Sequence, residues 1–173
     1  MSADRGIMRS FREVYFASPL HAWRLGRNPP RGLFFKPTDI WPGDAEAGRM
    51  LLDGICPIGG RDVHVGSDPW SETAEDALVE RYLHGFIWLR DLRELGGEAA
   101  RLRARELVES WMARHAHWSP GPWAHGVTGE RVAAWTGMFD FFGESAGEAF
   151  LDDFFRSLSG QIRHLWADLQ ACS

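Results

Sequence analysis

Apolar side chains recur at three- and four-residue spacing through the second half of the chain, which predicts a series of amphipathic helices. The clearest case is 148–169, whose apolar positions are Phe150, Leu151, Phe154, Phe155, Leu158, Ile162, Leu165, Trp166 and Leu169. Further helices are predicted over 74–95, 98–116 and 128–142, with Gly- or Pro-rich breaks between them. Gly85 lies inside the first of these helices, where it can permit a bend or close packing. Because short loops bring consecutive helices side by side, the pattern indicates antiparallel helical hairpins.

Two more helices are predicted in the N-terminal third. The first covers 7–25 and is interrupted in the middle, where Ser18 can act as an N-cap and Pro19 can occupy the first helical position. The second covers 45–52, and Asp44 is placed to cap it. These caps would satisfy backbone N–H groups that have no partner within the helix.

A small β-hairpin is predicted between these helices and the second half of the chain. Two short apolar runs, 55–58 and 62–66, flank the dipeptide Gly59-Gly60. Glycine pairs between short extended runs are typical of hairpin turns. The predicted fold is therefore mainly α, with a small β-hairpin near the N-terminal third.

The predicted domain organisation is simple. Residues 1–6 are polar and are expected to form a disordered tail, and 7–173 are expected to form a single helical domain. Within it, 7–70 hold the N-terminal helices and the hairpin, and 74–173 hold the helical hairpins. A chain of 173 residues with 45% hydrophobic side chains can bury a substantial core.

Charge and hydropathy narrow the function classes. The net charge of −5 argues against a general polyanion-binding surface, so no nucleic-acid partner is predicted. The sequence has neither an N-terminal signal peptide nor an apolar run of transmembrane length, so no membrane partner is predicted. We expect a soluble, cytoplasmic protein.

Neither a metal nor a cofactor is predicted. The histidines His115, His117 and His125 lie close in sequence, but their spacing does not suit one helical face and no carboxylate completes a ligand set. Cys56 and Cys172 are far apart and form no CxxC motif, so neither a disulfide framework nor a zinc site is indicated. No phosphate-binding loop or nucleophile motif is present.

Aromatic residues provide the main candidate for ligand binding. The chain has 9 Trp and 11 Phe, which either pack in a core or stack on flat ligands such as sugar rings. Trp118 and Trp123 lie in the loop 118–126, and Arg131 and Trp135 follow on the next helix. An indole can stack on a sugar and a guanidinium can bind a carboxylate. The alternative, a loop anchored by buried Trp side chains, is equally consistent with the sequence.

Two further side chains are weaker candidates for substrate binding. His84 lies four residues after Glu80 on one helix face, as an acid/base pair or an ordinary surface pair would. Arg90 could bind a uronate carboxylate or belong to a salt-bridge network. No residue of this chain is predicted to be catalytic.

Several short motifs, taken in order, resemble the N-terminal region of bacterial heparinase II/III family proteins. These are Ser18-Pro19-Leu20, Trp41-Pro42-Gly43-Asp44, Leu83-His84-Gly85-Phe86, Trp88-Leu89-Arg90-Asp91-Leu92, Trp111, Trp118-Ser119-Pro120, Trp123, Arg131 and Trp135. The resemblance implies a polysaccharide lyase that cleaves uronic-acid glycans by β-elimination. It also implies an incomplete α/α toroid followed by a β-sandwich, and it favours a cleft-facing role for Trp123 and Arg131.

Two functional hypotheses follow. In the first, the chain is the N-terminal helical segment of a heparinase II/III-like lyase, truncated before the catalytic motifs, with an acidic polysaccharide as its partner. In the second, it is a stand-alone helical protein-interaction or dimerisation module. A partner chain or second copy would then cover the open flank of an unfinished helical layer, and the Phe-rich face of the last helix is the expected flank.

Overall fold

The structure is a computed structural model, and it describes residues 12–66, 69–70 and 76–171. The described helices are α1 (Pro19–Leu25), α2 (Ala45–Leu52), α3 (Ala77–Gly85), α4 (Leu89–Leu95), α5 (Gly97–Arg114), α6 (His125–Gly137), α7 (Phe139–Phe142) and α8 (Glu148–Ala171). Strands β1 (Ile55–Ile58) and β2 (Arg61–His64) precede α3. The mainly helical class with a small antiparallel sheet is confirmed. The predicted tail 1–6 lies outside the described residues.

The two N-terminal caps form as the sequence predicts. The Ser18 hydroxyl accepts a hydrogen bond from the His21 backbone N–H at 3.3 Å, and Pro19 opens α1. The Asp44 carboxylate accepts from the Glu46 backbone N–H at 2.9 Å and begins α2. Both caps act within three residues, so local sequence is sufficient to specify them.

The predicted β-hairpin is also confirmed. Strands β1 and β2 pair antiparallel, with Ile58 opposite Arg61 at the turn. Gly59 and Gly60 connect them with φ angles of 58° and 78°, which only glycine adopts readily. The Val65 N–H donates to the Gly54 carbonyl at 2.9 Å and extends the pairing beyond the strands themselves.

The helix predicted over 74–95 is two helices, α3 and α4, and its first two residues lie outside the described part. The break falls at Phe86, which follows Gly85 and has a left-handed backbone with φ of 59°. Trp88 stabilises the break, because its indole N–H donates to the Leu83 carbonyl at 3.1 Å. That carbonyl would otherwise lack a partner at the helix end.

The helix predicted over 128–142 differs at both ends. It begins earlier, at His125, because the Thr128 N–H donates to the Ala124 carbonyl at 2.8 Å. It ends at Gly137, and the short helix α7 follows after Met138. The preceding loop contains a 3-10 helix over Gly121–Trp123. The helix predicted over 98–116 runs as Gly97–Arg114, after a break at Gly96.

An aromatic core lies between α3, α5, α6 and α8. Trp111 and Trp135 are fully buried, with ring centroids 5.4 Å apart in an edge-to-face arrangement. Phe86, Phe142 and Phe154 are buried around them. Edge-to-face contacts of this kind stabilise a core beyond the area they bury. Core packing therefore accounts for much of the aromatic content.

The incomplete α/α toroid implied by the resemblance is not confirmed. Contacts often join elements that are distant in the chain: α2 packs on α4, α3 on α6, and α1 on α8. No helix of the described ranges combines the length and apolarity needed to cross a membrane.

The last helix, α8, buries apolar side chains in its N-terminal half and polar side chains in its C-terminal half. Its N-terminal half buries the predicted Phe face, so this face is not an open flank. Its C-terminal half buries Gln161, His164 and Asp168, and exposes the apolar side chains of Ile162 (46%) and Trp166 (67%). The prediction that the apolar stripe continues through 162–169 is therefore wrong for exposed positions such as Ile162 and Trp166. Tertiary packing turns the polar side of this half inward.

Candidate functional site

The main cleft of the described structure lies between α1, the C-terminal end of α5 and the middle of α8, with a volume of about 780 Å³. Its apolar lining consists of Phe16, Leu25, Met112, Trp118 and Trp123. Clefts of this size and lining are typical binding sites for an apolar group. The loop 118–126 contributes both Trp side chains to this lining.

Charged groups of both signs surround the main cleft. Asp153 and Arg156 form an ion pair at 2.5 Å on α8, and Glu109 lies opposite them on α5. Because the Arg156 charge is already paired with a carboxylate, the cleft has no unpaired cation dedicated to an acidic sugar. Its chemistry suits an apolar side chain better than a polyanion.

The two Trp residues of the loop differ in exposure. Trp118 is partly buried, with its ring 5.9 Å from that of Phe16. Trp123 is buried, and its indole N–H donates to the His115 carbonyl at 3.2 Å. Trp123 thus anchors the loop and supplies one edge to the cleft wall. The burial of Trp123 agrees with the alternative of a loop anchored by buried Trp side chains, and the same residue also lines the cleft.

Arg131 lies beneath the loop and is completely buried. Its guanidinium donates to the carbonyls of His84 and Pro122, both at 2.8 Å, and to Gln161 Oε1 at 2.6 Å. It also lies over the Trp111 ring, 3.9 Å from the centroid. Burial lowers the pKa of Arg131 well below its ordinary value. The side chain binds backbone and core groups here and does not face the cleft.

His84 and Trp135 are also in the core. His84 Nδ1 accepts a hydrogen bond from the Trp111 indole N–H at 3.0 Å. Burial, with smaller contributions from His115 and Arg131, lowers the pKa of His84 to about 3. Trp135 is fully buried, and its indole N–H has no hydrogen-bond partner among the described residues. Neither side chain is positioned to contact a ligand in the main cleft.

Arg90 lies on another side of the molecule. Its guanidinium forms a salt bridge with Asp39 at 2.8 Å, which fixes the extended segment before α2. The salt-bridge interpretation therefore describes its contacts. The six sequence-based binding candidates stay predictions for a ligand, but the structure brings only Trp118 and Trp123 together at the cleft.

A histidine pair behind the cleft is not predictable from local sequence. His21 Nε2 lies 3.2 Å from His164 Nδ1, and His164 Nε2 lies 3.0 Å from the Trp123 carbonyl. These two contacts link α1 to α8 and α8 to the loop 118–126. Burial is the main cause that lowers the pKa of His164, to about 4. A weak signal exists, since Gln161, His164 and Asp168 share one face of α8 at three- and four-residue spacing.

Metal-binding geometry is not found within the described residues, where no group of three His, Cys, Asp or Glu side chains could hold an ion. Cys56 is a buried free thiol, and burial raises its pKa to about 12. A thiol in this environment is a poor nucleophile and metal ligand.

Comparison with known proteins finds similarity to a bacterial protein. The chain is 28% identical over 153 residues to FtsZ-localized protein C of Caulobacter vibrioides (strain NA1000 / CB15N). The alignment covers 87% of this chain and 26% of that protein, so the chain spans about a quarter of its relative. No protein-family profile and no solved structure matches the chain.

This relative corrects the first functional hypothesis. The interpretation of the chain as a segment of a polysaccharide lyase is wrong, because the relative is named for its localisation with FtsZ. The acidic polysaccharide predicted as a partner is withdrawn together with this interpretation. The resemblance to heparinase II/III family proteins is tested by none of the comparisons and stays a prediction.

Proposed function

We propose that the chain is a helical protein-interaction segment of a cell-division protein, and that it binds FtsZ. The observation that carries this proposal is the alignment with FtsZ-localized protein C, which extends over most of the chain. The cytoplasm is the compartment that this function requires.

Two features of the described surface support an interaction role. The main cleft has an apolar lining that a partner side chain can enter. Large apolar side chains are exposed on α8, including Ile162 and Trp166. Aromatic residues of this kind are enriched at the energetic centres of protein interfaces.

The direct test uses the purified chain alone, since most of the relative lies outside the aligned region. The chain would carry a fluorescent dye, and its anisotropy would be followed while purified FtsZ is added. A saturable rise is expected, with no rise when an unrelated acidic protein replaces FtsZ. A folded chain that gives no rise would overturn the proposal.

A second test asks whether association occurs in cells. A fluorescent fusion of the chain would be imaged together with labelled FtsZ. Coincident signals are expected, and they should disperse when FtsZ is depleted. A diffuse fusion in the presence of FtsZ would count against the proposal.

A further inference from the structure

The C-terminal half of α8 presents an apolar surface outward. Ile162 and Trp166 are one helical turn apart and both are exposed, while Gln161, His164 and Asp168 of the same half are buried. This polarity is opposite to that of a helix packed on a core. An exposed apolar surface with a polar interior behind it is more consistent with a binding surface than with a fully packed helix.

These two residues form one wall of a groove between α1 and α8, which we call the α1–α8 groove. It has a volume of about 550 Å³, and its lining includes Tyr15, His21, Arg24, Ile162, Arg163 and Trp166. Arg163 donates to the carbonyls of Leu25 at 2.8 Å and Asn28 at 3.2 Å, at the end of α1. These hydrogen bonds join the two walls of the groove and fix the position of α1 relative to α8.

The groove is basic, although the whole chain has a net charge of −5. Among the described lining residues, Arg24 and Arg163 are cationic and none is a carboxylate. Arg24 donates to the neutral Tyr15 hydroxyl at 3.3 Å, and within the described ranges neither arginine has an ion pair. Asp168 is close in sequence, but it is buried and within 3.5 Å of Arg12.

We infer that the α1–α8 groove binds a segment of a partner protein that carries an apolar side chain next to carboxylates. The apolar side chain contacts Ile162 and Trp166, and a carboxylate contacts Arg24. Arginine favours this arrangement because its guanidinium binds a carboxylate through two parallel hydrogen bonds. The inference rests on the proposed function, and it specifies the surface and the chemistry of that interaction.

Other occupants fit the groove less well. A second copy in a two-fold contact would place the same arginines near each other, without a carboxylate between them. A bilayer surface is bound through convex apolar helix faces that sink into lipid. The α1–α8 groove is concave and suits a side chain that enters it.

The test measures FtsZ binding by variants of this groove in the anisotropy assay. Trp166→Ala and Arg24→Glu should each weaken binding by about tenfold or more, as hot-spot substitutions do. The matched controls are Trp41→Ala, whose side chain is 65% exposed compared with 67% for Trp166, and Arg31→Glu, which is exposed and makes the same change in charge. Both controls should bind as the unmodified chain does.

Salt dependence gives a second readout. Raising the NaCl concentration from about 0.05 to about 0.3 M should weaken binding of the unmodified chain and have less effect on Arg24→Glu, because the screened charge pair is gone. Circular dichroism would confirm that each variant remains folded, as expected for exposed side chains.

The possible outcomes separate this inference from the proposed function. If the unmodified chain does not bind FtsZ, the proposed function fails. If it binds and both groove variants bind equally well, the groove assignment alone is overturned. The groove variants would also be tested for binding to phosphatidylglycerol vesicles and, by light scattering, for dimer formation. The groove assignment is also overturned if these variants lose either property while their binding to FtsZ is unchanged.

Discussion

At the scale of single residues, the Arg131 side chain contacts helices and a loop that a local sequence pattern does not place next to it. Its guanidinium joins α6 to the end of α3 through His84, to the loop through Pro122 and to α8 through Gln161. All of these acceptors are neutral. The free-energy cost of burying the guanidinium charge is offset by these hydrogen bonds and by the contact with the Trp111 ring. A planar group with several fixed donors is required for this arrangement.

Replacing Arg131 with lysine should lower the free energy of unfolding by roughly 3 kcal/mol, because one ammonium group cannot reach all of these acceptors. Urea denaturation followed by Trp fluorescence measures the change. Arg49→Lys, at an exposed ion pair with Glu46, is the control and should have little effect. Equal losses of unfolding free energy in the two variants would show that the Arg131 guanidinium is not needed to hold α3, α6 and α8 together.

Buried histidines make stability depend on pH. The pKa values of His84 and His164 are about 3 and about 4 in the folded chain, below the ordinary value of 6.5. As pH falls below 6.5, the unfolded chain gains protons that the folded chain excludes. Stability is therefore complete above pH 6.5 and decreases toward pH 4, by at most about 1.4 kcal/mol per pH unit for each histidine.

The substitution His164→Gln should make this decrease shallower, because it removes one of the buried histidines whose pKa is lowered in the folded chain. The measurement is the urea midpoint at several values from about pH 7 to about pH 4.5. His64→Gln, at an exposed position of β2, serves as the control and should keep the slope of the unmodified chain. An unchanged slope in His164→Gln would contradict the assignment.

At the scale of elements, close backbone contacts decide where glycine is required. A Cβ atom at Gly48 in α2 would lie 2.3 Å from the Asp91 carbonyl oxygen in α4. The same junction is joined by the Asp44 N–H, which donates to the Asp91 carboxylate at 2.9 Å. By contrast, a Cβ atom at Gly129 in α6 would have no neighbour within 4 Å.

The two glycines should therefore respond oppositely to alanine. Gly48→Ala should destabilise by roughly 2 kcal/mol, because the clash outweighs the helix propensity gained. Gly129→Ala should stabilise by about 0.5 to 1 kcal/mol through propensity alone. Denaturation midpoints of the pair provide the measurement. Effects of the same sign would mean that the α2–α4 contact is looser than described.

At the scale of the whole molecule, the extended segment 33–41 connects α1 to α2 across the surface. Arg90 binds the Asp39 carboxylate, and Arg93 donates to the carbonyls of Asp39 at 3.0 Å and Trp41 at 2.7 Å. The Asp39 N–H donates to the Gly137 carbonyl at 3.4 Å. Side-chain donors from α4 therefore replace the partners that a sheet would provide.

Removing one of these donors should loosen the segment locally. Arg93→Ala should increase hydrogen exchange in peptides covering 33–41 while the exchange of α5 stays the same, since local opening does not require global unfolding. Mass spectrometry resolves the two regions. Arg101→Ala on α5 is the control, and an equal increase in both regions would instead indicate global destabilisation.

Sequence patterns predict the helices best where the deciding contacts are local. The caps at Ser18 and Asp44, the Gly59-Gly60 turn and the start of α8 at Glu148 agree with the structure. The loop with Trp118 and Trp123 lines a cleft in the structure, and its role in binding a ligand stays a prediction. The split at Phe86 was missed because it depends on the Trp88 indole, a side-chain bond that no hydrophobic period encodes.

The sequence by itself thus determined the helical class, the hairpin and most helix ends, because hydrogen bonds within about four residues decide these features. Only the tertiary structure decided which side chains are buried. His21 meets His164 across 143 residues, and Trp111 meets His84 across 27. Such contacts turned the polar face of the C-terminal part of α8 inward and left Trp166 exposed. Burial depends on the partners of each face, and a linear pattern does not contain them.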